Sequence, residues 1–274
     1  MHEHGHSMIS TSIHRPTSRS VLLPREHGAY GELGFPLLTA FLIGRATIAA
    51  IALALASIAA FVAHESLLIV LRQRGQGAFD IERARAFRWL FVLSAFAVAA
   101  AAVGLVEAEP AVRAWCTVPA GLACIAIALV LSRHERTLLG EMVVSSALVS
   151  ASLPVAVSAG APPSVAVTMA VVWMVNFGLG TIAIRGLIAA SRARSRPTLL
   201  RASRLVSLLL VTIAIVMTAR RVSSPAAVAG ITPAVVMSLL LAGLRPSPRR
   251  LRTIGWMLVF ASALTAVALT VLCR

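Results

Sequence analysis

The chain has 274 residues, of which 58% are hydrophobic and only 13% charged, and its mean hydropathy is +0.88. A soluble globular domain is nearer half apolar and about a quarter charged, so this composition excludes an ordinary soluble fold and predicts a protein embedded in a lipid bilayer. The net charge of +15 does not indicate nucleic-acid binding, because aromatic residues make up only 5% and the basic residues, all arginine, stand in short clusters between long apolar runs.

Long uncharged runs predict the membrane-spanning helices. A spanning helix needs roughly 20 mostly apolar residues. The runs cover residues 46–63, 89–106, 114–132, 142–184, 205–219, 222–244 and 253–273. The run 142–184 is too long for one helix. A glycine and two prolines within Ser158–Ser164 predict a turn that divides it into two helices.

A first helix over about residues 28–44 brings the predicted spans to nine. Residues 1–27 then form a polar cytoplasmic tail, and residues 28–274 form a polytopic transmembrane domain. With the N-terminus in the cytoplasm, the tail and the loops after spans 2, 4, 6 and 8 hold 19 of the 25 arginines, and the opposite side holds five. Because arginine collects on the cytoplasmic side of membrane proteins, we predict an all-α, multi-pass membrane protein with its N-terminus inside and its C-terminus outside.

Four ionisable residues lie at a similar depth inside the predicted spans. Glu32, Glu65 and Arg185 each lie seven residues from a cytoplasmic arginine, which is roughly 10 Å along a helix, and Glu141 lies five residues from Arg136. Ionisable groups within spans usually face a bundle interior or a watery cleft. We expect Arg185 to pair with Glu65 or Glu32, since an unpaired arginine at this depth is costly. These four residues either bind a polar or anionic ligand or only hold the helices together.

Further polar residues join them as candidates. One side of span 2 carries His64, Glu65, Leu68 and Arg72, since steps of four and seven residues return to the same helix face. His64 either relays protons or bonds a neighbouring helix, and Asn176 lies deeper in span 6. The candidate ligand-binding set is Glu26, His27, Glu32, His64, Glu65, Arg72, Arg74, Arg136, Glu141, Asn176 and Arg185. We assign no catalytic residue and predict no metal site, and we interpret the tract His2, His4 and His6 as incidental.

The segment Pro24-Arg25-Glu26-His27-Gly28-Ala29-Tyr30 leads into the first span and resembles the opening signature of the YwiC-like family of bacterial membrane proteins. Two further stretches fit that family, Arg133–Glu141 and Asn176–Arg185, so that the resemblance covers about residues 21–220. It implies a multi-pass protein of the bacterial inner (cytoplasmic) membrane and no particular activity. Glu26 suits the first turn of a helix, where a carboxylate complements the helix dipole, and His27 is either an anchor or a catalytic residue.

The nine-helix layout is also similar to the bundle of UbiA-type intramembrane prenyltransferases. In those proteins Asp-rich motifs after helices 2 and 6 bind Mg²⁺, which holds the substrate diphosphate. Asp80 is the only aspartate of this chain, and its loop after span 6 has no acid. Magnesium, which takes hard oxygen ligands, is therefore poorly supported as a cofactor. Arginine side chains can instead hold a phosphate by bidentate hydrogen bonds.

The resemblance implies a divergent UbiA-like protein, an enzyme or not, that binds an anionic or lipid-linked, isoprenoid-type ligand in a cytoplasm-facing cleft. One alternative is a small-solute or anion transporter that uses the charged residues of spans 1, 2, 5 and 6 for coupling. Against it, the periplasmic halves of the spans are almost uncharged. The other alternative is a non-catalytic membrane assembly protein. The expected partners are membrane lipids and no nucleic acid, and the pattern specifies no oligomeric state.

Overall fold

The computed structural model describes residues 22–24, 27–191, 198–220, 224–244 and 250–274. These residues form helices and connecting turns, with no strand among them. The helices are α1 (His27–Ile43), α2 (Ile48–Val70), α3 (Gln76–Glu107), α4 (Pro110–Trp115), α5 (Thr117–Leu131), α6 (Leu138–Ser150), α7 (Ser152–Ser158), α8 (Pro163–Ser191), α9 (Thr198–Ala219), α10 (Pro225–Leu244) and α11 (Leu251–Cys273). Because α4 runs into α5 and α6 into α7 with a single residue between them, the described residues form nine helical rods, which follow the nine predicted segments in order.

Seven of these rods are long and apolar enough to cross a membrane: Ile48–Val70, Gln76–Glu107, Pro110–Leu131, Leu138–Ser158, Pro163–Ala190, Pro225–Leu244 and Leu251–Cys273. The helix at Gly28–Ile43 is apolar but shorter, and α9 carries Arg201 and Arg204 in its first two turns. The chain is therefore a multi-pass membrane protein by the length and composition of its helices. The count of nine spans and the orientation stay predictions.

Helix α3 is much longer than its apolar run. It has 32 residues, or about 48 Å at 1.5 Å per residue, against a hydrocarbon core of roughly 30 Å. Its first four turns carry Arg83, Arg85 and Arg88, which the sequence had placed in a loop. The predicted span 89–106 was therefore too short, because a helix continues past the bilayer wherever its backbone bonds remain satisfied. Likewise α2 continues to Val70, beyond the predicted end at residue 63.

Proline explains the break between α6 and α7. Pro154 has no N–H to donate to the Ser150 carbonyl, and its ring crowds that oxygen. The hydroxyl groups beside the break turn back to the helix backbone: Ser150 donates to the Ala147 carbonyl at 2.9 Å, and Ser152 donates to the Val149 carbonyl at 2.7 Å. Both serines are fully buried, so the bend lies inside the bundle.

The centre of the bundle is formed by α1, α2, α6, α7, α8 and α11, which pack on one another. Its core includes a stack of three aromatic rings, in which Trp173 lies between Phe35 at 5.7 Å and Phe177 at 5.4 Å. Helix α3 packs along α2, and α5 packs against α6. Only 6% of the most apolar stretch of α3, and of the α4–α5 rod, is buried, so both form the lipid-facing periphery.

One end of the bundle, which we call the opposite end, joins the last turns of α1, α7 and α11. The backbone N–H of Arg45 donates to the Ala159 carbonyl at 2.7 Å, and the guanidinium Nε of Arg274 donates to the Leu42 carbonyl at 2.8 Å. A Cβ on Gly44 would lie 2.5 Å from the Cβ of Ala159, so only glycine fits that approach. These bonds satisfy helix-end carbonyls that have no partner within their own helices.

The turn predicted at Ser158–Ser164 is confirmed at this end. Helix α7 stops at Ser158, and α8 begins at Pro163. Gly160 has a φ of +90°, the left-handed conformation that closes a helix end. We call the other side of the bundle, where α2, α5 and α8 end, the arginine-rich end.

Candidate functional site

The first corner of the arginine-rich end holds Glu65 and Arg74 as an ion pair. The Arg74 Nε donates to Glu65 Oε1 at 3.0 Å, and its Nη2 donates to Oε2 at 2.6 Å. Glu65 is 2% exposed and Arg74 is 11% exposed. A bidentate pair gives both oxygens of a buried carboxylate a charged donor, which offsets the loss of their hydration. Glu65 is therefore held by the turn that follows its own helix.

That turn has the geometry of a Schellman motif. The N–H of Arg72 donates to the Ile69 carbonyl and that of Gln73 donates to the Leu68 carbonyl, both at 2.9 Å. Arg72 has a φ of +58°, the left-handed region in which a non-glycine residue costs about 1–2 kcal/mol. Its exposed guanidinium lies 4.6 Å from the centroid of the Phe79 ring.

The prediction that Arg72 shares a helix face with His64 and Glu65 is wrong. Helix α2 stops at Val70, and the chain reverses at Arg72 before α3 begins. Positions beyond a helix end no longer follow its periodicity, so steps of seven residues lose their meaning there.

A second corner, between α5 and α6, repeats the motif. The N–H of Arg133 donates to the Val130 carbonyl at 3.0 Å, and that of His134 donates to the Leu129 carbonyl at 2.9 Å. Arg133 has a φ of +60° and is exposed. Two turns at this end therefore place an exposed arginine where glycine is the least strained residue.

The two turns share a hydrogen-bond acceptor. The side-chain Nε2 of Gln73 donates to the carbonyl of Val130, the same oxygen that accepts the N–H of Arg133. This contact fixes the α2–α3 turn against the end of α5. We call the two joined turns, residues 71–75 and 132–136, the paired turns.

A second ion pair links α6 to α8. The Arg185 Nε donates to Glu141 Oε2 at 2.5 Å, and its Nη2 donates to Glu141 Oε1 at 2.6 Å and to the backbone carbonyl of Arg136. The expectation that Arg185 pairs with Glu65 or Glu32 is therefore wrong. Glu141 lies in the first turn of α6, which packs on α8. The pair is partly open, with Arg185 28% and Glu141 42% exposed.

The stretch Arg133–Glu141 builds this corner. The Thr137 hydroxyl caps α6 by accepting from the Gly140 N–H at 3.0 Å, and it donates to the His134 carbonyl at 2.8 Å. A Cβ on Gly140 would collide with the His134 carbonyl, so the chain needs glycine there. The side chain of Arg136 is 70% exposed and lies 3.7 Å from Glu135.

Residues 22–24, the described part of the chain before α1, lie against the first corner. Leu22 is buried with Ile69 and Ala86, at the end of α2 and the start of α3. The phenol of Tyr30 donates to the Pro24 carbonyl at 3.0 Å. Glu26 and the side chain of His27 lie outside the described residues.

Three other candidates lie on the packed helices. Glu32 and His64 are half-buried, and both are engaged by other groups. Asn176 is buried, with its Nδ2 3.4 Å from the Ser262 hydroxyl oxygen on α11. It lies nine residues before Arg185, or about 13 Å along the helix, and so it does not join the paired turns.

The described residues contain no group of three or more His, Cys, Asp or Glu side chains that could hold a metal ion. The carboxylates of the arginine-rich end already have partners: Glu65 binds Arg74, Glu82 binds Arg85, Glu141 binds Arg185, and Asp80 accepts from Gln76. This donor set does not fit Mg²⁺, which needs free hard oxygens. The tract His2, His4 and His6 lies outside the described residues.

Sequence reasoning missed Gln73 and Arg133. Neither residue is unusual by type or spacing, and the left-handed position at Arg133 lacks glycine, the usual signal of such a turn. For Arg133 the available signal was its position, directly after the apolar run 114–132.

The model of the YwiC-like protein family matches residues 23–157, which run from the segment before α1 into α7. The match includes the paired turns, Pro24–Tyr30 and Arg133–Glu141, but not Asn176–Arg185. Neither a curated protein nor a solved structure matches the chain.

Proposed function

We propose that this protein binds a ligand with an anionic head, of the lipid-linked isoprenoid type, at its paired turns, as a divergent UbiA-like protein. The observation that carries the proposal is that Arg72 and Arg133 both occupy left-handed positions that favour glycine. A residue in such a position costs free energy, and these costs concentrate at functional sites. We place this end in the cytoplasm, because arginine collects there.

Charge supports an anionic ligand. Around the paired turns the buried or partly buried carboxylates are neutralised by their own arginines, as in the pairs of Glu65 and Glu141. Arg72 and Arg133 lie outside those pairs, with exposed side chains. Two neighbouring turns therefore carry positive charge that the nearby acids do not balance, and a phosphate or diphosphate group supplies the matching charge.

Location supports a lipid-linked ligand. The paired turns lie at the start of α3 and the end of α5, whose apolar stretches are the least buried among the seven candidate spans. An anionic head bound at the turns can keep its apolar tail beside these helices without leaving the bilayer. A soluble anion gains nothing from that surface, so the proposal requires both the head and the tail.

The test uses arginine-to-glycine substitutions, which separate binding from folding. In purified Arg72→Gly and Arg133→Gly proteins, the left-handed turns become less strained, so the melting temperature should stay or rise. Affinity for farnesyl diphosphate, measured by titration in detergent, should fall roughly tenfold for each, the loss expected for one charge-assisted contact. Titrations with inorganic pyrophosphate and with farnesol measure the affinity for the head and for the tail separately.

Arg83→Ala is the matched control, since it removes one exposed charge from α3 outside the paired turns. It should leave the affinity within about twofold, in the range of screened surface charges. If all three variants bind the diphosphate as the wild type does, or if the wild type does not bind it, the proposal fails.

The ion pairs favour a second candidate function, a non-catalytic assembly protein. The bidentate pair of Glu141 and Arg185 joins α6 to α8. In this second function the pair holds the two helices together and binds no ligand. In that case the exchange of the two residues, Glu141→Arg with Arg185→Glu, should recover folded yield that either single change loses. Unchanged diphosphate binding in the exchanged protein would leave the pair with a structural role alone.

A further inference from the structure

A groove far from the paired turns opens between α3 and the α4–α5 rod, near the opposite end. It has a volume of about 540 Å³ and is lined by Leu105, Val106, Arg113, Cys116, Thr117 and Ala120. Volumes of roughly 300–1,000 Å³ are usual for small-molecule sites. Two of the lining residues belong to α3, and the rest follow one face of α4 and α5.

The packing of α3 explains why the groove is open. A Cβ on Gly104 would lie 2.8 Å from Cγ of Leu53, so this face of α3 is in close contact with α2. Phe91, Ala102 and Val106 recur on the opposite face, and a second apolar groove of about 460 Å³ follows that face from Phe91 to Ala102. Because α5 packs on α6 instead, the space between α3 and α5 faces the lipid.

Arg113 is the charged residue in this apolar lining. It belongs to the candidate span Pro110–Leu131 and is exposed. Among the residues that the structure describes, its guanidinium has no hydrogen-bond or ion-pair partner, and the nearby acids Glu107 and Glu109 form no ion pair with it. An arginine at the edge of a span requires an anion or water, because hydrocarbon offers its donors nothing.

We propose that this groove binds one phospholipid of the leaflet at the opposite end, with its phosphate on Arg113 and an acyl chain between α3 and α5. The phosphate supplies the negative charge that pairs with Arg113, and the acyl chain covers the apolar walls of the groove. The site is separate from the paired turns, and its test is independent of the function proposed there.

The experiment measures how much lipid the protein retains. Wild-type protein is reconstituted in nanodiscs of phosphatidylglycerol and phosphatidylethanolamine and released from them under mild conditions. Native mass spectrometry then measures the mass of the protein with any lipid that it retains. One bound phospholipid should remain. Arg113→Gln, which removes the charge, and Ala120→Phe, which fills the groove, should each lower retention roughly tenfold, or about 1.4 kcal/mol. Arg220→Gln is the control, since it removes an exposed arginine at the end of α9 without touching the groove.

Cys116 gives a second measurement at the groove itself. In a protein with Cys124→Ser and Cys273→Ser, maleimide should alkylate Cys116 slowly when phospholipid is present and several times faster after its removal. Equal retention by all variants, or an alkylation rate that does not respond to lipid, would overturn the proposal. A dimer that protects Cys116 without any bound lipid would also overturn it, because a second copy would then occupy the groove.

Discussion

Removal of Arg74 tests the buried ion pair at the first corner. The Arg74→Ala change leaves the Glu65 carboxylate, which is 2% exposed, without the two guanidinium donors that lie 3.0 and 2.6 Å from its oxygens. Breaking a buried pair by removing one partner destabilises a protein by about 3–5 kcal/mol, because the remaining charge stays away from water. Since both side chains are almost fully buried, screening by solvent reduces this value little.

The assay is reversible unfolding of the purified protein in mixed micelles, followed by tryptophan fluorescence. Arg136→Ala is the matched control. The Arg136 side chain is 70% exposed, and its Nε lies 3.7 Å from the Glu135 carboxylate, which is a long and weak ion pair. We therefore expect Arg136→Ala to lower the free energy of unfolding by no more than about 1 kcal/mol. Equal free energies of unfolding for Arg74→Ala and Arg136→Ala would refute the reasoning. They would show that the Glu65 carboxylate does not depend on its pair in the folded protein.

Two further substitutions test the corners. Gly140→Ala should lower the free energy of unfolding by about 1–3 kcal/mol, because the added Cβ meets the His134 carbonyl, whereas Gly28→Ala, where nothing lies within 4 Å, should not lower it. Thermal melts of the two proteins make the comparison. Gln73→Leu removes the side-chain bond to the Val130 carbonyl and should lower stability by about 1 kcal/mol, with faster hydrogen exchange at the end of α5. Unchanged exchange there would mean that the paired turns are held by other contacts.

The helical segments could be predicted from the sequence because each apolar run reports its own environment. The hydropathy of a segment does not depend on which other helices pack against it. The two helices within the run 142–184 and the turn between them at Ser158–Ser164 could therefore be predicted. Helix ends were not, since α3 continues as helix into its charged region beyond the apolar run. A prediction from uncharged runs ends a helix at the first arginine. The helix itself ends only where its backbone hydrogen bonds end.

The candidate residues could be predicted by type but not by partner. Glu65, Glu141 and Arg185 were identified as costly charges inside spans, which is a property of each residue alone. Their pairing depends on which helices touch: α6 packs on α8, and the turn after α2 brings Arg74 back onto Glu65. Depth along the membrane normal, the quantity that the sequence supplies, does not fix position within the membrane plane.

The two ion pairs differ in how much chain must exist before each can close. Glu65 and Arg74 are nine residues apart, so their charges can neutralise each other as soon as the α2–α3 hairpin forms. Glu141 and Arg185 are 44 residues apart, and their pair must wait until α8 has been synthesised. During synthesis the α2–α3 hairpin can therefore enter the bilayer with the Glu65 charge already neutralised by Arg74. The Glu141 carboxylate gains its arginine partner only when α8 arrives, so the insertion of α8 completes the neutral pair between α6 and α8.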